Sequence, residues 1–336
     1  MPSMERESRR IVIAGASSLL GAELKSLLEE SRFADWDFQL LDEEDAAGTL
    51  TEAGGEAAII QPVEEGSFEK ARFVFFTGSA AFTKTNLGSA KQAHGKIVDL
   101  SGALACEGGG ATVWFPRLEE LRKSPFPANA PAYAIPSAAG TAAIALTLAL
   151  SQCGVRRIAF VWFRPVSETG RAGIEELESQ TGQLLSFQSV GQPVFDSQVA
   201  FNLLDRYGAS SAHKLSAECD RTRAEAKACL GNSPVTPSIQ VIHAPVFYGT
   251  TFSVYAELDS GADAGTIAKA CAGAGFVVAP RGEAGPNNVS VAGEKAIHLA
   301  QPEADPAHPG TWWFWGAADN IRLPAANAVK LAETLV

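Results

Sequence analysis

Residues 11–24, IVIAGASSLLGAEL, run from three β-branched apolar residues through Gly15-Ala16-Ser17-Ser18 into Leu20 and Leu24 at helical spacing. The stretch reads as a strand, a tight loop and a helix, with Ser17 or Ser18 able to cap the helix N-terminus. Leu27 and Leu28 continue the apolar stripe and 38–41 supplies the next strand, which completes a β-α-β unit. Further apolar runs at 58–60, 73–76 and 96–100 alternate with helical patterns, as expected of a parallel sheet with crossover helices.

The pattern changes after Pro136. Residues 138–150 are Ala/Leu-rich and predict a buried helix, 157–166 a long strand, and 173–185 a helix. Residues 239–246 and 252–258 read as strands paired around Tyr248-Gly249. A helix over 264–274 and strands over 288–299 and 311–317 follow. A terminal helix over 325–336 has Ala328, Leu331, Ala332 and Leu335 on one face. Such runs predict a largely antiparallel α+β second domain.

The chain has 336 residues, 46% hydrophobic and 19% charged, enough for two ordinary cores. Its net charge of −11 excludes a general electrostatic footprint for nucleic acid or anionic membrane. The longest apolar run, 138–150, is short of the roughly 20 residues that span a bilayer. The charged 1–10 segment lacks the apolar core of a signal peptide, so a cytoplasmic protein is expected. Five scattered cysteines without CxxC spacing read as free thiols, several of them buried, and five dispersed histidines make no metal site.

Gly15 to Gly21 aims backbone amides and a helix dipole where a pyrophosphate would sit, although the spacing is GxxxxxG and Ser18 stands where a glycine would let phosphate approach. The loop is therefore either a nucleotide seat or a structural β-α turn. Asp42, 27 residues after Gly15, is placed to bond a ribose hydroxyl and to repel a 2′-phosphate. With Glu43, Glu44 and Asp45 beside it, it also reads as part of a solvated acidic turn. Trp312, Trp313, Phe314 and Trp315 read as core, and Arg221, Arg223 and Lys227, at helical spacing, as a solvated face.

Taken together, IVIAGASSLLGAEL, KIVDLSGAL, IPSAAGTAAIAL, FRPVSETGRAGIEELESQT, QVAFNLL, HAPVFYGTTFSVYAEL and WGAADNIRLPAANAVKLAE occur in the order and spacing of aspartate-semialdehyde dehydrogenases. The chain resembles that family from about Arg10 to its end. The resemblance implies a Rossmann-like NAD(P)-binding domain over 1–137, an α+β catalytic-type and dimerisation domain over 138–318, and a C-terminal helix over 319–336 returning to the first domain. It implies a cofactor seat of Gly15, Ser17, Ser18, Leu19, Leu20, Gly21, Asp42, Gly78, Ser101, Gly170 and Asn320, with NAD preferred over NADP if Asp42 faces the ribose. A homodimer or homo-oligomer is implied, and a heterodimer with an active homologue is a second partner reading.

The resemblance also exposes what is missing. The family attacks its aldehyde with a cysteine in an N-P-N-C-[ST] segment, and here Ile135-Pro136-Ser137-Ala138-Ala139 puts Ala138 at the nucleophile position. Ser137 is adjacent, but its hydroxyl has no evident activating base. Thr250 stands at the position of the base histidine, and Arg164 at that of a glutamine. Glu168 brings a carboxylate close to where a nicotinamide would lie, and the phosphate arginine is matched around Ala105. His243 matches another arginine, and Arg221 stands opposite the family lysine. Arg164, Arg221 and His243 are thus the candidates for holding an anionic substrate, and no catalytic residue of the family is retained. In this the chain resembles the Usg-type paralogues that lack the cysteine. Three readings follow. The first is a homologue without phosphorylating aldehyde dehydrogenase activity, kept as a dimeric, NAD-binding protein. The second is an NAD-dependent oxidoreductase acting on an aldehyde or oxo group of an anionic molecule without a cysteine. The third is a cofactor-free interaction scaffold.

Overall fold

The computed structural model describes residues 8–53, 56–106, 110–231, 233–259 and 261–336. The chain divides into two compact units, one of Met1–Phe115, Pro127–Ile135 and Pro324–Val336, the other of Pro116–Phe126 and Pro136–Leu323.

The first unit is built on a parallel sheet. Its elements are β1 (Arg10–Ala14), α1 (Leu19–Glu29), β2 (Asp37–Asp42), β3 (Leu50–Ala53), β4 (Glu56–Ile59), β5 (Gln61–Pro62), β6 (Ala71–Phe76), α2 (Ala80–Gln92), β7 (Lys96–Asp99), α3 (Ala103–Cys106), β8 (Thr112–Val113) and β9 (Ala132–Ala134). The sheet order is β5-β2-β1-β6-β7-β9-β8, while β3 and β4 form a separate antiparallel ribbon. Ile11, Val12 and Ile13 in β1 and Phe73 to Phe76 in β6 are fully buried, as continuous apolar strands covered on both faces must be. β1 lies between β2 and β6, and the strand order reverses there.

The second unit contains α4 (Leu118–Arg122), α5 (Ala138–Ser151), β10 (Arg157–Arg164), α6 (Arg171–Leu185), α7 (Leu215–Leu230), β11 (Ser238–His243), β12 (Thr250–Glu257), α8 (Ala264–Gly273), β13 (Val277–Val278), β14 (His298–Leu299), β15 (Glu303–Ala304) and β16 (Thr311–Ala318). The helix α9 (Arg322–Thr334) ends the chain. Strict alternation along β10 turns Ile158, Phe160 and Trp162 to the core, and the same period carries Arg164, 3% exposed, to that buried face.

Three sequence expectations need correction. The strands at 239–246 and 252–258 do not pair with each other. β11 joins β10 in parallel and β12 joins it from the other side antiparallel, because the long apolar alternation of β10 occupies the position between them. Of 288–299, only His298–Leu299 is strand. Ahead of it the Asn287 side chain accepts from the amides of Val289 and Ser290, a local bond that competes with sheet pairing. Trp312 and Phe314 are core, but the period of two puts Trp313 (43% exposed) and Trp315 (38%) on the opposite face of β16. Cys153, Cys219, Cys229 and Cys271 are free, the last two buried, and the side chain of Cys106 lies outside the description. Among the described residues no helix is long and apolar enough to cross a membrane, and no acidic, His or Cys cluster could hold a metal.

Candidate functional site

In the first unit the loop after β1 closes largely on itself. Gly15, at φ +98°, packs so tightly on Gly78 that a Cβ on Gly15 would lie 2.1 Å from the Gly78 nitrogen, and Gly21 likewise faces the Gly15 carbonyl. These glycines answer to chain packing. Ser18 caps α1, its Oγ accepting from the Gly21 amide at 2.9 Å. The amides of Gly15 and Ala16 donate to the Leu41 carbonyl, that of Ser17 to Asp42 Oδ2 at 2.7 Å, and that of Ser18 to the Gly15 carbonyl. Among the described residues the amides of Leu19 and Leu20, in the first turn of α1, have no acceptor. Asp42 is buried at the end of β2 and also accepts from the Glu43 amide, so it is no solvated turn residue. Ser101 is folded into a turn by Asp99, whose Oδ1 accepts from both its amide and its hydroxyl.

The second unit holds the positions expected of a reaction centre. Ala138, 2% exposed, opens α5, and Ser137 caps that helix. The Ser137 Oγ accepts from the Gly140 amide at 3.0 Å and donates to Glu225 Oε2 at 2.7 Å, while the Ser137 amide donates to Glu225 Oε1 at 3.2 Å. Glu225, fully buried on α7, is paired one turn back with Arg221, whose Nε lies 3.0 Å from Oε1. A carboxylate thus sits over the N-terminus of α5, where the helix dipole favours negative charge.

Arg164 is surrounded. Its Nε lies 3.1 Å from Glu168 Oε2, out of line for a hydrogen bond, and a terminal nitrogen lies 3.6 Å from Glu218 Oε1. It also donates to the Thr169 hydroxyl at 2.9 Å and to the Tyr207 hydroxyl at 3.4 Å. Tyr207 meets His243 Nδ1 at 3.2 Å, and His243 Nε2 lies 3.2 Å from the Val199 carbonyl. Burial holds the His243 imidazole down at about 4, with Arg164 adding to the effect, so it is neutral near pH 7. Burial likewise pushes the Glu168 carboxyl up to about 7 against the pull of Arg164, with Glu218 reinforcing the rise.

The expected anion clamp therefore needs revision. Arg164 and Arg221 are each paired with carboxylates of the chain itself, and His243 carries no charge to offer. Thr250, 1% exposed, spends its hydroxyl on the Phe163 carbonyl at 3.3 Å. Asn320 pins two loops, its Oδ1 accepting from the Gly249 amide at 2.9 Å and its Nδ2 donating to Ser167 Oγ at 3.0 Å. Gly170, at φ +82°, faces open space at the start of α6. Sequence reasoning missed Glu225, Glu218 and Tyr207. The four-residue spacing of Arg221 and Glu225 was a readable signal for their pairing, but nothing local pointed from Glu225 to Ser137.

A parallel α/β unit with a β-α loop at its switch point, and a second unit built on a mixed sheet, define a two-unit fold of the dehydrogenase type. Residues 148–323 match the family described as semialdehyde dehydrogenase, dimerisation domain, and the chain belongs to that family. It is 29% identical over 97% of both chains to a USG-1 protein homolog of Azotobacter vinelandii, and 24% identical, again over 97% of both, to an aspartate-semialdehyde dehydrogenase of Rickettsia bellii. Among solved structures it is similar to a probable aspartate-semialdehyde dehydrogenase from Pseudomonas aeruginosa, with TM-score 0.85 and 28% identity over 97% of this chain and 98% of that one.

Proposed function

We propose that this protein has lost phosphorylating aldehyde dehydrogenation and is retained as a dimeric protein that binds NAD. The observation that carries the first part is Ala138, buried at the start of α5, whose methyl side chain offers no nucleophile. A thioester needs a thiolate that attacks and later leaves, and a methyl group does neither. Thr250 supplies no proton shuttle near neutral pH.

A nicotinamide dinucleotide suits the first unit by position. The α1 amides of Leu19 and Leu20 would meet its pyrophosphate, and Asp42, at the end of the neighbouring strand, would meet a ribose hydroxyl and repel a 2′-phosphate. Bound, the group would supply hydride chemistry; the loop's self-closure leaves it fewer amides than a glycine-rich seat and favours weak binding. The dimer reading rests on the outer face of the second sheet. There Trp313 packs edge-on against Tyr255 at 5.1 Å, and Trp315 meets Phe163 at 6.0 Å, the aromatic composition that interface cores favour.

The test is a double replacement, Ala138→Cys with Thr250→His, assayed for phosphate-dependent oxidation of aspartate semialdehyde with NAD and NADP. The expected result is no turnover above the parent protein, since Glu225 and the paired arginines remain. Robust turnover from those two changes would overturn the reading.

A further inference from the structure

Ser137 lies directly ahead of α5 and is partly exposed. Its hydroxyl has what the local sequence did not show, an acceptor that is a carboxylate. Oε1 of Glu225 is held by the Ser137 amide and by Arg221, which leaves Oε2 facing the hydroxyl at 2.7 Å. Gly140 makes this approach available, because a Cβ at that position would lie 2.0 Å from Oε2. The Gly140 amide donates to Oγ at 3.0 Å and would stabilise charge developing there. Among the described residues the amides of Ala138 and Ala139, next in the helix, have no acceptor. An amide directly after a nucleophilic serine is a standard element of an oxyanion hole.

We propose that Ser137 is an acyl-accepting nucleophile with Glu225 as its base, acting on small activated esters or thioesters. The Ser137 oxygen adds to the acyl carbon as its proton passes to Glu225 Oε2, and the carbonyl oxygen takes up negative charge facing the Ala138 and Ala139 amides. Collapse breaks the bond to the leaving oxygen or sulfur, which receives the proton from Glu225. Water then adds to the acyl-serine by the same exchange, releasing a carboxylic acid and restoring the hydroxyl. No electrons are transferred and no cofactor is needed. Arg221 holds the Glu225 carboxylate in place through Oε1, and a carboxylate base of this kind suits acyl groups with good leaving groups.

The experiment uses the full-length protein and p-nitrophenyl acetate, following p-nitrophenolate release and mapping the acetyl adduct by peptide mass spectrometry after acid quench. The expected result is an adduct on Ser137 and release that falls about a hundredfold in Glu225→Gln, a change that keeps the shape and removes the base. Ser137→Asn, which preserves a capping side chain, should lose the adduct while its thermal melt confirms folding. No adduct on Ser137 in the folded parent, unchanged release from Ser137→Asn, or an unchanged rate in Glu225→Gln would each overturn the proposal.

Discussion

The carboxylate of Asp42 accepts a 2.7 Å hydrogen bond from the amide of Ser17, so the end of β2 is stitched to the loop that leaves β1. The residue that would select the cofactor is also a brace for its seat. Asp42→Asn removes the charge and one acceptor oxygen. It should lower stability by about 1–3 kcal/mol and bring NAD and NADP to similar affinities. Thermal melts and calorimetric titration check both, and NADP binding as tightly as NAD to the parent protein would refute the role given to Asp42.

Glu168 should make stability fall with rising pH. Its carboxyl titrates at about 7 in the fold, above its usual range, so the folded state holds a proton that the unfolded state has released. That contribution is complete below the unfolded pKa and is lost as pH rises through 7. Glu168→Gln should flatten the difference between pH 5.5 and 8 by about 1 kcal/mol, reduced from a full conversion because the side chain is 26% exposed. Paired denaturation curves at the two pH values are the check; identical slopes for parent and variant would count against it.

Gly140→Ala should be destabilising although alanine favours helices. The added methyl carbon would overlap Glu225 Oε2, displacing a fully buried carboxylate from Ser137 and Arg221. A loss of about 1–3 kcal/mol is expected in urea unfolding, and Glu225→Ala in the same chain should recover part of it.

Trp313→Asp should weaken self-association. If the outer sheet face meets a second copy, a charge among Tyr255, Trp313 and Trp315 should raise the dissociation constant at least about thirtyfold, equivalent to about 2 kcal/mol. Sedimentation velocity over a concentration series measures it, and a variant that associates like the parent would place the interface elsewhere.

Much of this architecture was legible because period carries it. The β1 run, the α1 stripe and the alternation of β10, β12 and β16 each state which side faces inward. Partner choice was not legible, since β11 and β12 are equally apolar and only three-dimensional packing sets both against β10. In the site, the absence of a nucleophilic side chain at Ala138 could be read from one position. The neutralisation of Arg164 could not, because its carboxylates come from Glu168 nearby and from Glu218 on a different helix. The neutrality of His243 depends on burial, which spacing does not report.

α7 packs against both α5 and β11, and so the helix that supplies Glu218, Arg221 and Glu225 is also a wall of the core. Selection for a chain that merely folds would preserve that helix and its packing. Glu218, Arg221 and Glu225 therefore keep their mutual spacing for as long as the core holds α7 in place, whatever chemistry the site performs.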